Sequence, residues 1–324
     1  MTMKNVALRM LVIVLMTLCS TGAEACTRDV KSAGRAVAVA SDTAEVSSAV
    51  AKSAVGIAEE AIDSIPVDTL AVESRMGRAI RNLVVVPREY YISRELLRYP
   101  VVYVLHGYDG NYLDWSKKID LQRLADEHKC IVVCPDGQDS WYFDSPIDPK
   151  MQYETYMTKE LIAAVDGKYR TIATRDGRAI TGLSMGGHGA LWLAWRHPDL
   201  YCACGSMSGG VDITKFPGKW KIHLRLGDYA KNKRVWAEHS VASLVPTLQP
   251  GRQAIIIDDG EQDFFYQVNV ELHKSLDKRG IKHSFETRPG KHTWTYWVES
   301  LPKHMKFFDK VLAEPVASVE RRAA

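Results

Sequence analysis

Six strand-like runs punctuate the chain at intervals filled by helix-length segments: "YPVVYVLHG", "CIVVCPDG", "AITGLS", "YCACGSMSG", "AIIIDDG" and "HSFETRPG". A strand with one wet face alternates apolar and polar residues, whereas these runs are mostly continuous in their hydrophobicity. Continuity implies burial on both faces, hence an α/β protein whose mainly parallel central sheet is covered by helices on both faces. In such sheets ligands bind beyond the carboxyl ends of the strands. The residues that follow each run are therefore the place to look for chemistry.

One of those ends reads "ITGLSMGGHGALWLAW", residues 180–195. Gly182-Leu183-Ser184-Met185-Gly186 fits G-x-S-x-G, the strand-turn-helix elbow that lifts a serine hydroxyl above a sheet. A serine on so tight a turn takes strained backbone angles, and side chains two residues to either side would collide with the adjoining strand and helix. Alone, the five-residue pattern is equally a glycine-rich turn with an incidental serine.

A serine that must become a nucleophile needs a base, an acid to orient that base, and donors for the oxyanion. All three occur at other strand ends. Asp263 lies in "EQDFF" after "AIIIDDG", His292 lies in "KHTWTYW" after "HSFETRPG", and His106-Gly107-Tyr108 closes "VVYVLHG". The chain order Ser, Asp, His is that of the α/β-hydrolases.

With these blocks in view, the sequence resembles the esterase D-like branch of the α/β-hydrolases, which takes in feruloyl and acetylxylan esterases, tributyrin-type esterases, S-formylglutathione hydrolases and mycolyltransferases. The likeness runs from about Val67 to Leu312. It is carried by "YPVVYVLHGYDGNYLDW", "PDGQDSWYFDSP", "YETYMTKELIAAVDGKY", "TGLSMGGHGAL", "DDGEQDFF" and "HTWTYW". The resemblance implies ester cleavage through an acyl-enzyme, with Ser184 as nucleophile, His292 as general base and then acid, and Asp263 fixing the imidazole tautomer. It implies backbone N–H donors at Tyr108 and Met185, and chemistry that requires no metal or organic cofactor. Asp258 and Asp259 stand nearer the strand end, but the family pattern puts the acid just before the Phe264-Phe265 pair. A calcium loop is the other reading of "DDGEQD", and it lacks the spacing of an EF-hand.

Aromatic residues crowd the same ends: Tyr108, Tyr112, Trp115, Trp141, Tyr142, Phe264, Trp294 and Trp297. They suit the faces of sugars or phenolic acids. Trp141 and Tyr142, in the loop after "CIVVCPDG", and the neighbouring Gln138 are the residues expected to touch substrate, with Asp139 adding a polar contact. His106 is expected to support the oxyanion loop, and His188, His197, His239 and His273 to be structural.

The 42 Lys and Arg exceed the 39 Asp and Glu by only three and are scattered, so the chain carries no nucleic-acid or polybasic membrane footprint. A small-molecule or carbohydrate ester is the expected partner. At the amino end, Lys4 and Arg9 border the apolar run Met10 to Cys19, and Ala23-Glu24-Ala25 supplies small residues for cleavage. Residues 1–25 thus read as an export signal to the periplasm, cell envelope or medium, the run being only half the roughly 20 residues of a membrane span. Acylation of Cys19 or Cys26 would instead make a lipoprotein, although Leu18 and Glu24 suit a lipobox poorly. Residues 26–66 read as a flexible or weakly helical segment, with a capping-box-like start at Asp42, residues 67–312 as the catalytic domain, and residues 313–324 as a disordered tail. No further run is long enough to span a membrane. Cys130, Cys134, Cys202 and Cys204 read as buried fillers. Two other functions use the same residues: an acyltransferase passing the acyl group to a sugar or lipid hydroxyl, and a non-catalytic envelope binding protein on the hydrolase scaffold.

Overall fold

The computed structural model describes residues 67–93 and 96–317, so the expected export signal and the 26–66 segment lie outside the described residues. The amino-terminal strands β1 (Asp68–Ser74) and β2 (Arg78–Val85) form an antiparallel hairpin. Gly77 closes its turn at φ 77°, a left-handed conformation in which a side chain would be strained. The hairpin's outer strand alternates buried and exposed residues, as a half-wet strand must.

All six runs read from the sequence are strands. They are β4 (Val101–Leu105), β5 (Ile131–Pro135), β6 (Arg178–Gly182), β7 (Ala203–Met207), β8 (Ala254–Gly260) and β9 (Ser284–Arg288). With the hairpin they make one eight-stranded sheet in the order β1-β2-β5-β4-β6-β7-β8-β9, and from β5 to β9 every neighbouring pair is parallel. The order turns back at β4, which lies between β5 and β6. Crevices open at such reversals beyond the strand ends, which is where the loops after β4 and β6 meet.

Both faces of the inner strands β4 to β8 are dry because successive residues feed two separate cores. Tyr103, Leu105, Ile131, Val133, Ile180, Ile255 and Ile257 point into one; Val102, Val104, Val132, Ala179 and Ile256 point into the other. The first core is roofed by the helical segment 153–168 and by the helices Met185–Arg196 and Tyr266–Lys278, through Met157, Leu161, Leu191, Leu193, Leu272 and Leu276. The second is roofed by the helices Leu121–Glu127 and Trp294–Phe308, through Leu124, Leu301, Met305 and Phe308. Truncating a central residue such as Ile257 to Ala would cost about 2–5 kcal/mol, since neither face can collapse freely into the gap.

Cys130, Cys134, Cys202 and Cys204 are free thiols buried in these layers. Burial pushes the Cys204 thiol up to about 12, leaving it protonated and inert. The described part of the expected tail, residues 313–317, departs from expectation, and residues 318–324 lie outside the described residues. Instead of fraying from residue 313, the chain pairs β10 (Val316–Ala317) antiparallel with β3 (Leu97–Arg98), and Ala313 N–H donates to Asp176 O at 2.9 Å. Backbone hydrogen bonds, which a sequence pattern of small residues does not announce, hold it there. No helix among the described residues is long and apolar enough to cross a membrane.

Candidate active site

Ser184 lies two residues beyond β6 at φ 56° and ψ −117°, immediately before the helix Met185–Arg196. The strained turn is fixed from all sides. Its N–H donates to Met207 O at 2.8 Å, and its carbonyl accepts from His188 N–H at 3.1 Å. A Cβ on Gly186 would come within 2.6 Å of both the His106 and Leu105 carbonyl oxygens, and one on Gly182 within 2.6 Å of the Gly186 backbone. Those are backbone atoms that cannot rotate away, so the two glycines of the motif are sterically required.

Across the crevice, His292 follows β9 and presents Nε2 to Ser184 Oγ at 2.9 Å. Its Nδ1 faces Asp263 Oδ2 at 2.8 Å. Asp263 has no solvent exposure at its side chain, and its second oxygen accepts the Phe265 N–H at 2.8 Å. The carboxylate is thereby oriented without a competing proton donor from solvent. The structure thus brings Ser184, His292 and Asp263 into one hydrogen-bonded chain, in an order that lets a proton leave the hydroxyl for the imidazole.

The neighbouring carboxyls are engaged elsewhere. Asp258 receives both its Arg288 contacts, at 2.9 and 3.0 Å, together with the Tyr296 hydroxyl. Asp259 accepts from Asn269 Nδ2 at 2.7 Å. Burial, reinforced by the negative charge of Asp263, pushes Asp259 up to about 8. It therefore holds a proton at neutral pH, and Asp263 is spared a second full charge beside it.

The loop after β4 lies against Ser184: a Cβ on Gly107 would stand 3.5 Å from Ser184 Cβ. Among the described residues, neither the Tyr108 nor the Met185 backbone N–H donates a hydrogen bond elsewhere. Two unspent donors flanking a serine hydroxyl are what an incipient oxyanion requires. His106 braces this loop, with Nδ1 against Gly107 O at 2.7 Å and Nε2 accepting the Gly137 N–H at 2.8 Å. One neutral tautomer satisfies both contacts, and burial lowers its affinity for a second proton. Asp139 Oδ1 accepts the Asp109 N–H at 2.9 Å, so this side chain holds the same loop.

The expectation for Trp141 and Tyr142 is corrected. Both are buried, at 1% and 0% exposure, and so present no surface to a substrate. The Tyr142 ring is sandwiched against Gly137 and Gly189, and its hydroxyl donates to His106 O at 3.2 Å. Trp141 packs on His188 and Trp220. They build the wall behind the loop that follows β4. Gln138 is exposed, but its Oε1 accepts from Arg78 Nη2 at 3.2 Å, which directs it toward β2. The exposed aromatic surface is elsewhere. Phe264, 52% exposed, lies on the His292 ring at 4.2 Å and stacks on Trp220 at 5.7 Å. Trp220 escaped the sequence reading because it sits far from any strand end, between the "FPGK" and "KIH" stretches. Trp115 and Trp297 are buried, the latter edge-on to His292 at 4.8 Å.

A separate cleft of about 630 Å³, lined by Glu154, Trp192, Arg196, Arg234 and His239 among others, includes none of the three hydrogen-bonded residues. Its Glu154 is committed to Trp192, Arg196 and His197, at 2.9, 2.8 and 2.7 Å.

Known proteins resemble this chain in both sequence and fold. An acetyl esterase of Caldicellulosiruptor saccharolyticus is 26% identical over 224 residues, covering 65% of this chain and 83% of its own length. A ferulic acid esterase structure superposes with a TM-score of 0.66 at 27% identity, over 76% of this chain and 98% of its own. An S-formylglutathione hydrolase from Staphylococcus aureus, at 21% identity and a TM-score of 0.66 over 75% of this chain and 98% of its own, shares the fold. The family model described as "Putative esterase" matches residues 73–308, which run from the end of β1 to the last helix. The chain belongs to this esterase family, on an α/β-hydrolase fold.

Proposed function

We propose that the protein is an exported serine carboxylic-ester hydrolase that works through an acyl-enzyme. The observation that carries this reading is the hydrogen-bonded chain from a strained, glycine-framed Ser184 through His292 to a buried Asp263. Ser184 Oγ attacks the ester carbonyl as its proton passes to His292 Nε2. The oxyanion is met by the Tyr108 and Met185 N–H groups. His292 returns the proton to the leaving alcohol, then takes one from the water that attacks the acyl-enzyme, releasing the acid and restoring Ser184. Asp263 holds the imidazole in the tautomer that keeps Nε2 free to accept.

For the substrate, the reading is a short acyl group such as acetyl, or a hydroxycinnamoyl group, on a carbohydrate or other small ester. The acetyl esterase and ferulic acid esterase relatives support it, as does the aromatic surface of Phe264 and Trp220 beside His292. Export rests on the amino-terminal pattern of Lys4, Arg9, the Met10 to Cys19 run and the Ala23-Glu24-Ala25 site. The test is turnover of p-nitrophenyl acetate and methyl ferulate by the purified chain. Replacing Ser184→Ala or Asp263→Asn is expected to lower kcat by about 10⁴ or more. Undiminished hydrolysis by Ser184→Ala would overturn the proposal.

A further inference from the structure

At the end of the molecule away from the triad, three side chains converge that the ester chemistry does not use. His273 and Asp277 stand one turn apart on the helix Tyr266–Lys278, and His283 lies just before β9. One ring nitrogen of each histidine and one Asp277 carboxylate oxygen all fall within 4.8 Å of one another. His273 Nδ1 and His283 Nε2 are 2.7 Å apart, and His273 Nε2 is 3.4 Å from Asp277 Oδ2.

We infer that His273, Asp277 and His283 form a binding site for a divalent transition metal, zinc by preference. The support around the ligands is of the kind metal sites need. His283 Nδ1 is satisfied by the Ile281 carbonyl at 2.8 Å, which leaves the Nε2 lone pair facing the cluster. The His273 ring is stacked flat on Phe285, 4.5 Å away at 11°, so its plane is fixed as well. Two neutral imidazoles and a carboxylate match zinc and its neighbours in the transition series, whereas calcium and magnesium prefer oxygen donors throughout. With Zn–N bonds of about 2.0–2.1 Å, tetrahedral ligation would separate the two nitrogens to about 3.3 Å. The metal thus replaces the shared proton by parting the rings roughly half an ångström; the exposed Asp277 carboxylate, nearest His273 Nε2 in this structure, turns about its side-chain bonds to reach the metal, and a fourth position stays open to water. His273 and Asp277 sit at an i, i+4 spacing that places both on one helix face.

The placement gives the site a structural consequence. Asp263 lies three residues before the helix that carries His273 and Asp277, and His292 follows the strand that His283 leads into. A metal here staples the two elements that deliver the acid and the base, at their ends remote from the chemistry. It would stabilise the fold without entering the reaction.

The experiment is a calorimetric titration of ZnCl₂ into the EDTA-treated full chain, repeated with MgCl₂ and with the His273→Ala, His283→Gln and Asp277→Asn variants. Each variant is checked for folding by its retained hydrolysis of p-nitrophenyl acetate. One equivalent of zinc should bind to the native chain, and thermal unfolding should rise by about 5–10 °C when free zinc is 100-fold above Kd. Both effects should vanish in the two histidine variants and weaken in Asp277→Asn. Cobalt should bind the native chain with the intense visible absorption of a tetrahedral site. The inference is overturned if the native chain takes up no stoichiometric zinc, if magnesium binds equally well, or if the histidine variants bind zinc as the native chain does.

Discussion

The two sides of the active site are held in place by different means. On the Ser184 side, the geometry is written into the backbone: Ser184 sits at φ 56° between glycines whose missing side chains let β6, the following helix and the His106 carbonyl approach one another. On the His292 and Asp263 side, the geometry is written into side chains. Arg288 ties Asp258 on β8 to the Tyr296 carbonyl at 2.8 Å and the Ser300 hydroxyl at 2.7 Å, so the strand end and the His292-bearing segment are clamped together. Phe264, Phe265 and Trp297 then enclose the imidazole. A backbone device tolerates no substitution but needs few residues. A side-chain device is spread over the sequence, and it leaves an exposed aromatic edge at Phe264.

The sharpest way to break this contrast is Gly186→Ala. The new methyl would meet two carbonyl oxygens at 2.6 Å, forcing the elbow to move. A displacement of about 1 Å at a nucleophile costs about 10² in kcat, and steady-state kinetics should show at least that loss. Unchanged turnover would mean that the glycine frame is not what places the serine.

Asp259 tests the other side. Its pKa is raised to about 8 when folded against about 4 in the unfolded chain, so the native state binds the extra proton between these values. The carboxyl therefore erodes stability as pH rises from about 4 to about 8. Asp259→Asn removes that dependence, and its unfolding midpoint should gain on the native chain steadily across this window. A constant difference between the two would show that Asp259 is ionised throughout. The smallest effect is expected at Phe264, half exposed beside His292. Phe264→Ala should lower kcat/KM for a feruloyl ester by about three- to tenfold while leaving an acetyl ester nearly untouched. Equal losses on both substrates would assign Phe264 to positioning His292 rather than to the acyl group.

This division also explains what was legible in the sequence. The inner parallel strands were visible because two dry faces demand runs of apolar residues, whereas the edge strand β9, half polar and without a buried residue, was visible by its place in the alternation; the elbow was visible because a backbone constraint leaves glycines at fixed spacing. Asp263 and His292 were legible by their position after strands. The Arg288 clamp was not, because its partners are 8, 12 and 30 residues distant and only the fold brings them together. Trp141 and Tyr142 show a further limit. Aromatic residues in a loop after a strand read the same whether they face solvent or fill the space beneath it. What decided the matter was Gly137 and Gly189, which make room for the Tyr142 ring at close range. The outer hairpin strand was equally quiet, since "DTLAVES" is half polar, as an edge strand should be. The pairing of Val316–Ala317 rests on backbone groups, which every sequence possesses.

The central claim is that Ser184 carries the acyl group, and trapping it is the most direct measurement. The native chain, incubated with a fluorophosphonate, should gain the mass of a single adduct as ester hydrolysis falls to zero, and peptide mapping should place that adduct on Ser184. Full inactivation with the adduct on another residue, or hydrolysis that persists with Ser184 blocked, would contradict the account.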